Sequence, residues 1–123
     1  MSSNSAPGWK TYPRHRIATK PAGARVQVTV KGELIADTRD AVRLDEDGYP
    51  AVYYIPRKDV KMERLERTDH RSTCPFKGEA SYYSIVNGPV NAAWSYEQPY
   101  DEMAVIRELL AFYPDKVDSI AVR

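Results

Sequence analysis

A chain of 123 residues has the length of one ordinary domain and can bury a core without staples. Its 28% charged and 42% hydrophobic residues have the balance of a soluble globular protein, and a formal net charge of +1 excludes the basic footprint of a general nucleic-acid binder. One cysteine excludes an internal disulfide, and with only His15 and His70 beside it the chain cannot close a zinc site of its own.

Residues 1–12 begin Met-Ser-Ser-Asn-Ser-Ala-Pro-Gly and lack the basic start and apolar run of a secretory signal, so they are expected to form a flexible leader before a single domain at 13–123. No apolar run is long enough to span a bilayer and no lipidation motif is found; the expected setting is a reducing cytoplasm, with no membrane or nucleic-acid partner, no metal and no cofactor. In "RVQVTVKGELIADT", Val26, Val28 and Val30 alternate with polar neighbours, the pattern of a half-buried strand. Lys31-Gly32 is the expected turn of a hairpin that returns through Glu33-Leu34-Ile35-Ala36. Ala41, Val42 and Leu44 lead to Asp45-Glu46-Asp47-Gly48, a polar turn in which the glycine accepts a positive φ, and "PAVYYI" reads as a strand ending at Pro56. Val60, Met62 and Leu65 in "PRKDVKMERLERTD" fit neither period, so a short helical turn followed by a strand is expected. "EASYYSIV" is a strong strand stopped by Asn87-Gly88-Pro89, with "VNAAWSYE" as its antiparallel partner. "YDEMAVIRELLAFY" predicts a helix, because Met103, Ile106, Leu109, Leu110 and Tyr113 share one face, Asp101 and Glu102 sit at the positive end of its dipole, and Pro114 closes it. "VDSIAV" is a final strand. The sum, about six or seven strands and one helix, is a mainly antiparallel arrangement rather than a βαβ alternation.

Three features bear on chemistry. Asp45 and Asp47 have the spacing of a magnesium-holding carboxylate pair in nucleotidyltransferases, but the glycine-rich element such an enzyme needs upstream is missing, and turn chemistry alone explains Asp-Glu-Asp-Gly. "CPFKG" is neither a phosphate-binding loop nor a redox Cys-x-x-Cys. Cys74 could act as a nucleophile if Lys77 or His70 lowered its pKa; the sequence favours a packed cysteine before a proline turn. Lys77, before Gly78, is the better candidate, an ammonium held at a rigid turn and able to meet an anion. Aromatic usage is skewed, with nine Tyr and two Trp against two Phe. Strand alternation sends Tyr53 and Tyr54, and likewise Tyr82 and Tyr83, to opposite faces, while Trp94 and Tyr96 share one. These rings could wall a pocket inside a curved sheet or fill an ordinary core.

Taken in order, "YYIPRKDV", "TCPFKGEASYYS", "AAWSYEQP" and "AFYPDKVD" resemble the family called domain of unknown function 427, over roughly Val26 to Val122. The resemblance implies a mainly β fold (α+β by strict count), an antiparallel β-tent or open-barrel-like sheet, here with one C-terminal helix. The family also carries a nucleotidyltransferase label whose motif this sequence lacks. By position, its signature residues here are Tyr54, Pro56, Asp59 and Val60; Thr73, Cys74, Lys77, Gly78, Tyr82 and Tyr83; and Ala93, Trp94, Tyr96 and Pro99. The leading expectation is a module that binds a small ligand, an anion among the options, between Tyr54, Tyr82, Trp94 and Tyr96, with Lys77 and Asp59 as polar anchors. The alternatives are an enzyme using Cys74 or Lys77 with Asp59, and a structural module acting as a homodimer.

Overall fold

The hairpin expected around Lys31-Gly32 organises the first sheet. In the computed structural model, which describes residues 4–123, strands β2 (Val26–Val30) and β3 (Glu33–Thr38) pair antiparallel with Val30 opposite Glu33. Lys31 and Gly32 take φ values of 50° and 76°, the two-residue turn whose twist matches the flanking strands. Val28 faces Ala36 but Thr29 faces Leu34, so Ile35 is the extra residue of a bulge. The bulge resets the alternation: Leu34 points to solvent and both Ile35 and Ala36 are buried. A C-terminal strand, β10 (Ser119–Val122), covers the other edge of β2.

A second sheet runs in the order β1 (Ile17–Pro21), β4 (Val42–Glu46), β5 (Val52–Tyr54), and a third in the order β6 (Leu65–Cys74), β7 (Gly78–Ile85), β8 (Ala93–Ser95), β9 (Leu110–Phe112). The expected partnership of "EASYYSIV" with "VNAAWSYE" holds, with Tyr82 opposite Trp94 and Tyr83 opposite Ala93. Single 3₁₀ turns at Arg57–Asp59 and Met62–Arg64 lead into β6, which is the turn-then-strand reading of that segment. Ile55 and Leu110 exchange both backbone hydrogen bonds, at 2.7 and 2.8 Å, so the β1-β4-β5 sheet continues into β9 at an angle. The result is mainly β and antiparallel, and the sheets bend around one another without closing into a barrel.

The helix expected over "YDEMAVIRELLAFY" does not form. A 3₁₀ segment, Asp101–Ile106, is itself interrupted at Met103, Glu108 turns the chain through the left-handed region at φ 62°, and the residues beyond it are strand β9. Tertiary pairing overrides local propensity here. Leu110, Ala111 and Phe112 are buried in succession, as a strand covered on both faces requires, and a helix would expose at least one of them. The corner is fixed from both sides: Glu108 N–H donates to the Tyr96 carbonyl at 3.0 Å, and Arg57 Nε donates to the Glu108 carbonyl at 2.7 Å.

The segment read as a flexible leader packs on the domain from Asn4 onward; its first three residues lie outside those described. Ala6 N–H donates to the Glu102 carboxylate, Gly8 N–H donates to the Pro75 carbonyl at 2.9 Å, and residues Gly8–Thr11 form a helical turn. Gly8 lies so close to Phe76 that a Cβ would sit 2.6 Å from the ring, and Trp9 meets that ring edge-on at 4.9 Å. Backbone hydrogen bonds and contacts with the Phe76 ring hold the segment, and neither follows an apolar period along the chain.

Side chains of β7, β8 and β9 alternate between two buried clusters on the two faces of their sheet. Tyr83, Ile85, Ala93, Leu110 and Phe112 pack with β2, β3 and Val60, while Ala80, Tyr82, Tyr96 and Ala111 pack with Leu44, Tyr54, Met103 and Ile106. Glu108→Gly distinguishes the left-handed corner from a helix. In a helix the change costs about 1 kcal/mol; at this φ it is expected to leave stability unchanged or raise it by a few tenths, measured by urea unfolding.

Candidate functional site: an aromatic cavity with a buried ion pair

Where the sheets bend, they leave an open cavity of about 540 Å³. Tyr54, Lys77, Tyr82, Trp94 and Tyr96 line it, as does Cys74, so most of the residues picked out for ligand binding converge on one place. Asp59 does not reach it. Its carboxylate accepts from Thr38 Oγ1 at 2.7 Å and from Lys58 Nζ at 2.9 Å, tying the turn after β5 to β3. The Lys58 contact first, and then the Thr38 hydroxyl, hold that carboxyl below the ordinary aspartate range. Pro56 turns the chain out of β5 and carries Asp59 away from the face on which Tyr54 sits.

Strand geometry places the rings. Tyr82 and Trp94 are directly opposite on neighbouring strands, and Tyr96 follows Trp94 on the same face two residues on. Tyr113, beyond β9, closes the wall with its ring 4.4 Å from Trp94, and Tyr54 meets Trp94 edge-on at 6.3 Å. Burial pushes the phenols of Tyr54, Tyr96 and Tyr113 well above the ordinary tyrosine value, so they remain neutral hydrogen-bond donors. Ser72 Oγ and the Tyr82 hydroxyl lie 2.7 Å apart, and the Tyr113 hydroxyl donates to Tyr82 at 3.4 Å.

The polar end is built on the three-residue turn between β6 and β7. Cys74 pairs with Gly78, which takes φ 117°, so the turn is Pro75-Phe76-Lys77. Its carbonyls are held from both sides, Pro75 by Gly8 N–H and Lys77 by Tyr100 N–H at 3.0 Å. Lys77 is 7% exposed, and its Nζ lies 2.5 Å from Glu46 Oε1 and 3.8 Å from Cys74 Sγ. The other Glu46 oxygen meets His15 Nε2 at 2.8 Å, and the His15 ring stacks on Phe76 at 4.3 Å. A buried ammonium demands such a counter-ion.

Glu46 and His15 were not among the residues singled out from the sequence. The signal was present for Glu46, because β4 continues through it and alternation separates it from its neighbours. Asp45 pairs with Arg43 and Asp47 with Arg16 at the protein surface, while the glutamate between them turns inward. The two aspartates that resemble a metal pair thus point away from the cavity. No sequence period could have brought His15 to the site, since it arrives with the docked N-terminal segment.

Behind the wall, on the opposite face of β7 and β8, lies Glu97. It accepts from Ser81 Oγ and Arg67 Nη2 at 2.8 Å on one oxygen, and from the Tyr83 hydroxyl at 2.9 Å and Arg57 Nη2 at 3.1 Å on the other. Through Arg57 the same knot reaches the Glu108 corner, so it braces the strands that carry Tyr82, Trp94 and Tyr96.

Burial would push the Glu97 carboxyl up, but hydrogen bonds from Ser81 and Tyr83 and the charge of Arg67 outweigh it and leave the group below the ordinary glutamate value of 4.5. A depressed carboxyl stabilises the fold fully above its unfolded pKa and loses that contribution as pH falls through its folded pKa. Glu97→Gln is therefore expected to lower stability at neutral pH and to flatten the loss of stability below about pH 4, read from urea midpoints across pH.

The chain is similar to Kelch repeat and BTB domain-containing protein 1 of cowpox virus (strain Brighton Red), 28% identical over 113 residues, a stretch that covers 85% of this chain and 19% of that protein. The chain thus spans about a fifth of the length of that relative. The family model NTP_transf_9, described as a domain of unknown function (DUF427), matches residues 18–123. That match takes in every strand from β2 onward and every residue that lines the cavity, but not the docked segment that delivers His15 to Glu46; this chain belongs to the DUF427 family.

Proposed function

We propose that this protein binds a small, flat, mainly apolar molecule in the cavity between its sheets. The observation that carries the reading is an open space of about 540 Å³ walled by Tyr54, Tyr82, Trp94, Tyr96 and Tyr113 and ended by a buried Lys77–Glu46 pair. Its volume and its mix of rings with a few convergent polar groups are those of ligand sites. A core serving packing alone would fill such a space, because protein interiors are close-packed. Exposed Tyr49, at 67%, and Val122 at the rim widen the apolar entrance.

A second reading, catalysis by Cys74, has one specific observation in its favour. The Lys77 ammonium lies 3.8 Å from Cys74 Sγ, and both residues line the cavity. The expected partnership with Asp59 is replaced in this reading by Glu46.

Ethylnaphthalene is a suitable probe for the first reading, because Trp94 stands in the wall and Trp9 does not. Saturable quenching of tryptophan emission is expected, retained in Trp9→Phe and weakened roughly tenfold or more by Val52→Phe, which fills the cavity without touching the ion pair. Quenching that rises linearly without saturating, or that is indifferent to Val52→Phe in a normally folded variant, would show that the cavity does not take ligands.

A further inference from the structure

The geometry points to a neutral, planar aromatic molecule bearing a carbonyl oxygen as the ligand, its ring against the aromatic wall that includes Trp94 and Tyr82 and its oxygen accepting a hydrogen bond from Lys77 Nζ. This rests on the cavity being a binding site, and adds the ligand's chemical class.

The donor and acceptor inventory of the cavity's polar end decides the class. Lys77 carries three protons. One goes to Glu46 Oε1 and a second is directed toward the weak acceptor Cys74 Sγ, which leaves one for whatever enters the cavity. The phenols beside it are held neutral by burial and so remain donors. The Tyr54 and Tyr96 hydroxyls, which donate to no other group among the described residues, keep their protons to give. No solvent-inaccessible side-chain polar atom among those residues lacks a partner, so the Tyr96 hydroxyl opens on the cavity. The one carboxylate at this end, Glu46, is engaged on both oxygens, by Lys77 and by His15. The strongest hydrogen-bonding group left open at this end is therefore the charged Lys77 N–H, and a complementary ligand supplies it a lone pair.

Charge narrows the class further. Lys77 and Glu46 cancel, so the polar end has no net charge to offer an anion. An anionic group placed against the free Lys77 proton would also face the Glu46 carboxylate within a few ångströms, where a partly desolvated like-charge contact is costly. A cation would meet the Lys77 ammonium in the same way. An uncharged carbonyl takes the charge-assisted hydrogen bond without either penalty. An anion on Lys77, one of the options the sequence leaves open, is disfavoured by the Glu46 carboxylate beside it.

Four naphthalenes of similar size test the class on the intact protein, with affinities read from Trp94 quenching. Acetylnaphthalene is expected to bind about tenfold or more tightly than ethylnaphthalene, which has the same shape and no acceptor, and more tightly than naphthoate or naphthylmethylammonium. Lys77→Met combined with Glu46→Gln removes the donor without orphaning a buried carboxylate, and is expected to bring acetylnaphthalene down to the ethylnaphthalene affinity while leaving the latter unchanged. Equal binding of the ketone and the hydrocarbon overturns the assignment of Lys77 as donor while leaving the cavity a binding site. Tightest binding of the carboxylate or the ammonium overturns the neutral class. Saturable binding by none of the four overturns the cavity reading itself. Should the double variant not fold, the ranking on the unmodified protein still decides the class.

Discussion

A lysine ammonium closed off from water has to find a negative charge, and the contact of Lys77 with Glu46 meets that demand across the fold. Glu46 ends β4 and Lys77 ends the turn between β6 and β7, so one ion pair fixes the distance between two sheets that share few backbone bonds there. The rest of the polar end follows. Glu46 has a second oxygen, which His15 occupies, and His15 is positioned by its stack on Phe76, next to Lys77 in the same turn. The turn, the strand end and the docked N-terminal segment form one closed set of contacts. Replacing such a pair by apolar groups can be neutral for stability, so retaining it in the wall of an open space argues for a use beyond folding.

The sheet formed by β6 to β9 is a partition with a different task on each side. One face carries rings toward the cavity, and the other carries Ser81, Tyr83, Ser95 and Glu97 toward two arginines. The carboxylate knot is saturated with donors and rigid, whereas the ring face has unfilled space beside it. The ionic bracing behind Tyr82, Trp94 and Tyr96 ties together the strands that carry the ring wall beside that open space.

The sequence made the local features legible and left the long-range ones hidden. The Lys31-Gly32 hairpin, the pairing of Tyr82 with Trp94 and the gathering of Tyr54, Lys77, Tyr82, Trp94 and Tyr96 all rest on turn chemistry and strand alternation, which operate over a few residues. Strand β1 and the polar β6 carry almost no apolar signal, because β1 is half exposed and β6 lies at a sheet edge. The segment 100–113 has a sound helical period, but its outcome depends on Ile55, about fifty residues away, offering Leu110 a backbone partner. Asp59 is only five residues from Tyr54 but lies off the cavity, because the chain leaves β5 at Pro56 and the turn that follows ties its carboxylate to Thr38 on β3. Glu46 was hidden by its neighbours, since Asp45 and Asp47 drew the eye to a turn that the strand enters only after passing through the glutamate.

The docked N-terminus has a meaning for what counts as this domain. The family match begins at residue 18, just after the residues that seat the turn carrying Lys77: Gly8 beneath Phe76, Trp9 at its edge, and His15 on Glu46. The stretch of chain shared across a family and the stretch that folds as one cooperative body are therefore different lengths here. The short prefix outside the matched part reaches the second carboxylate oxygen of the ion pair, so the polar end of the cavity is completed by a residue that the family match does not include.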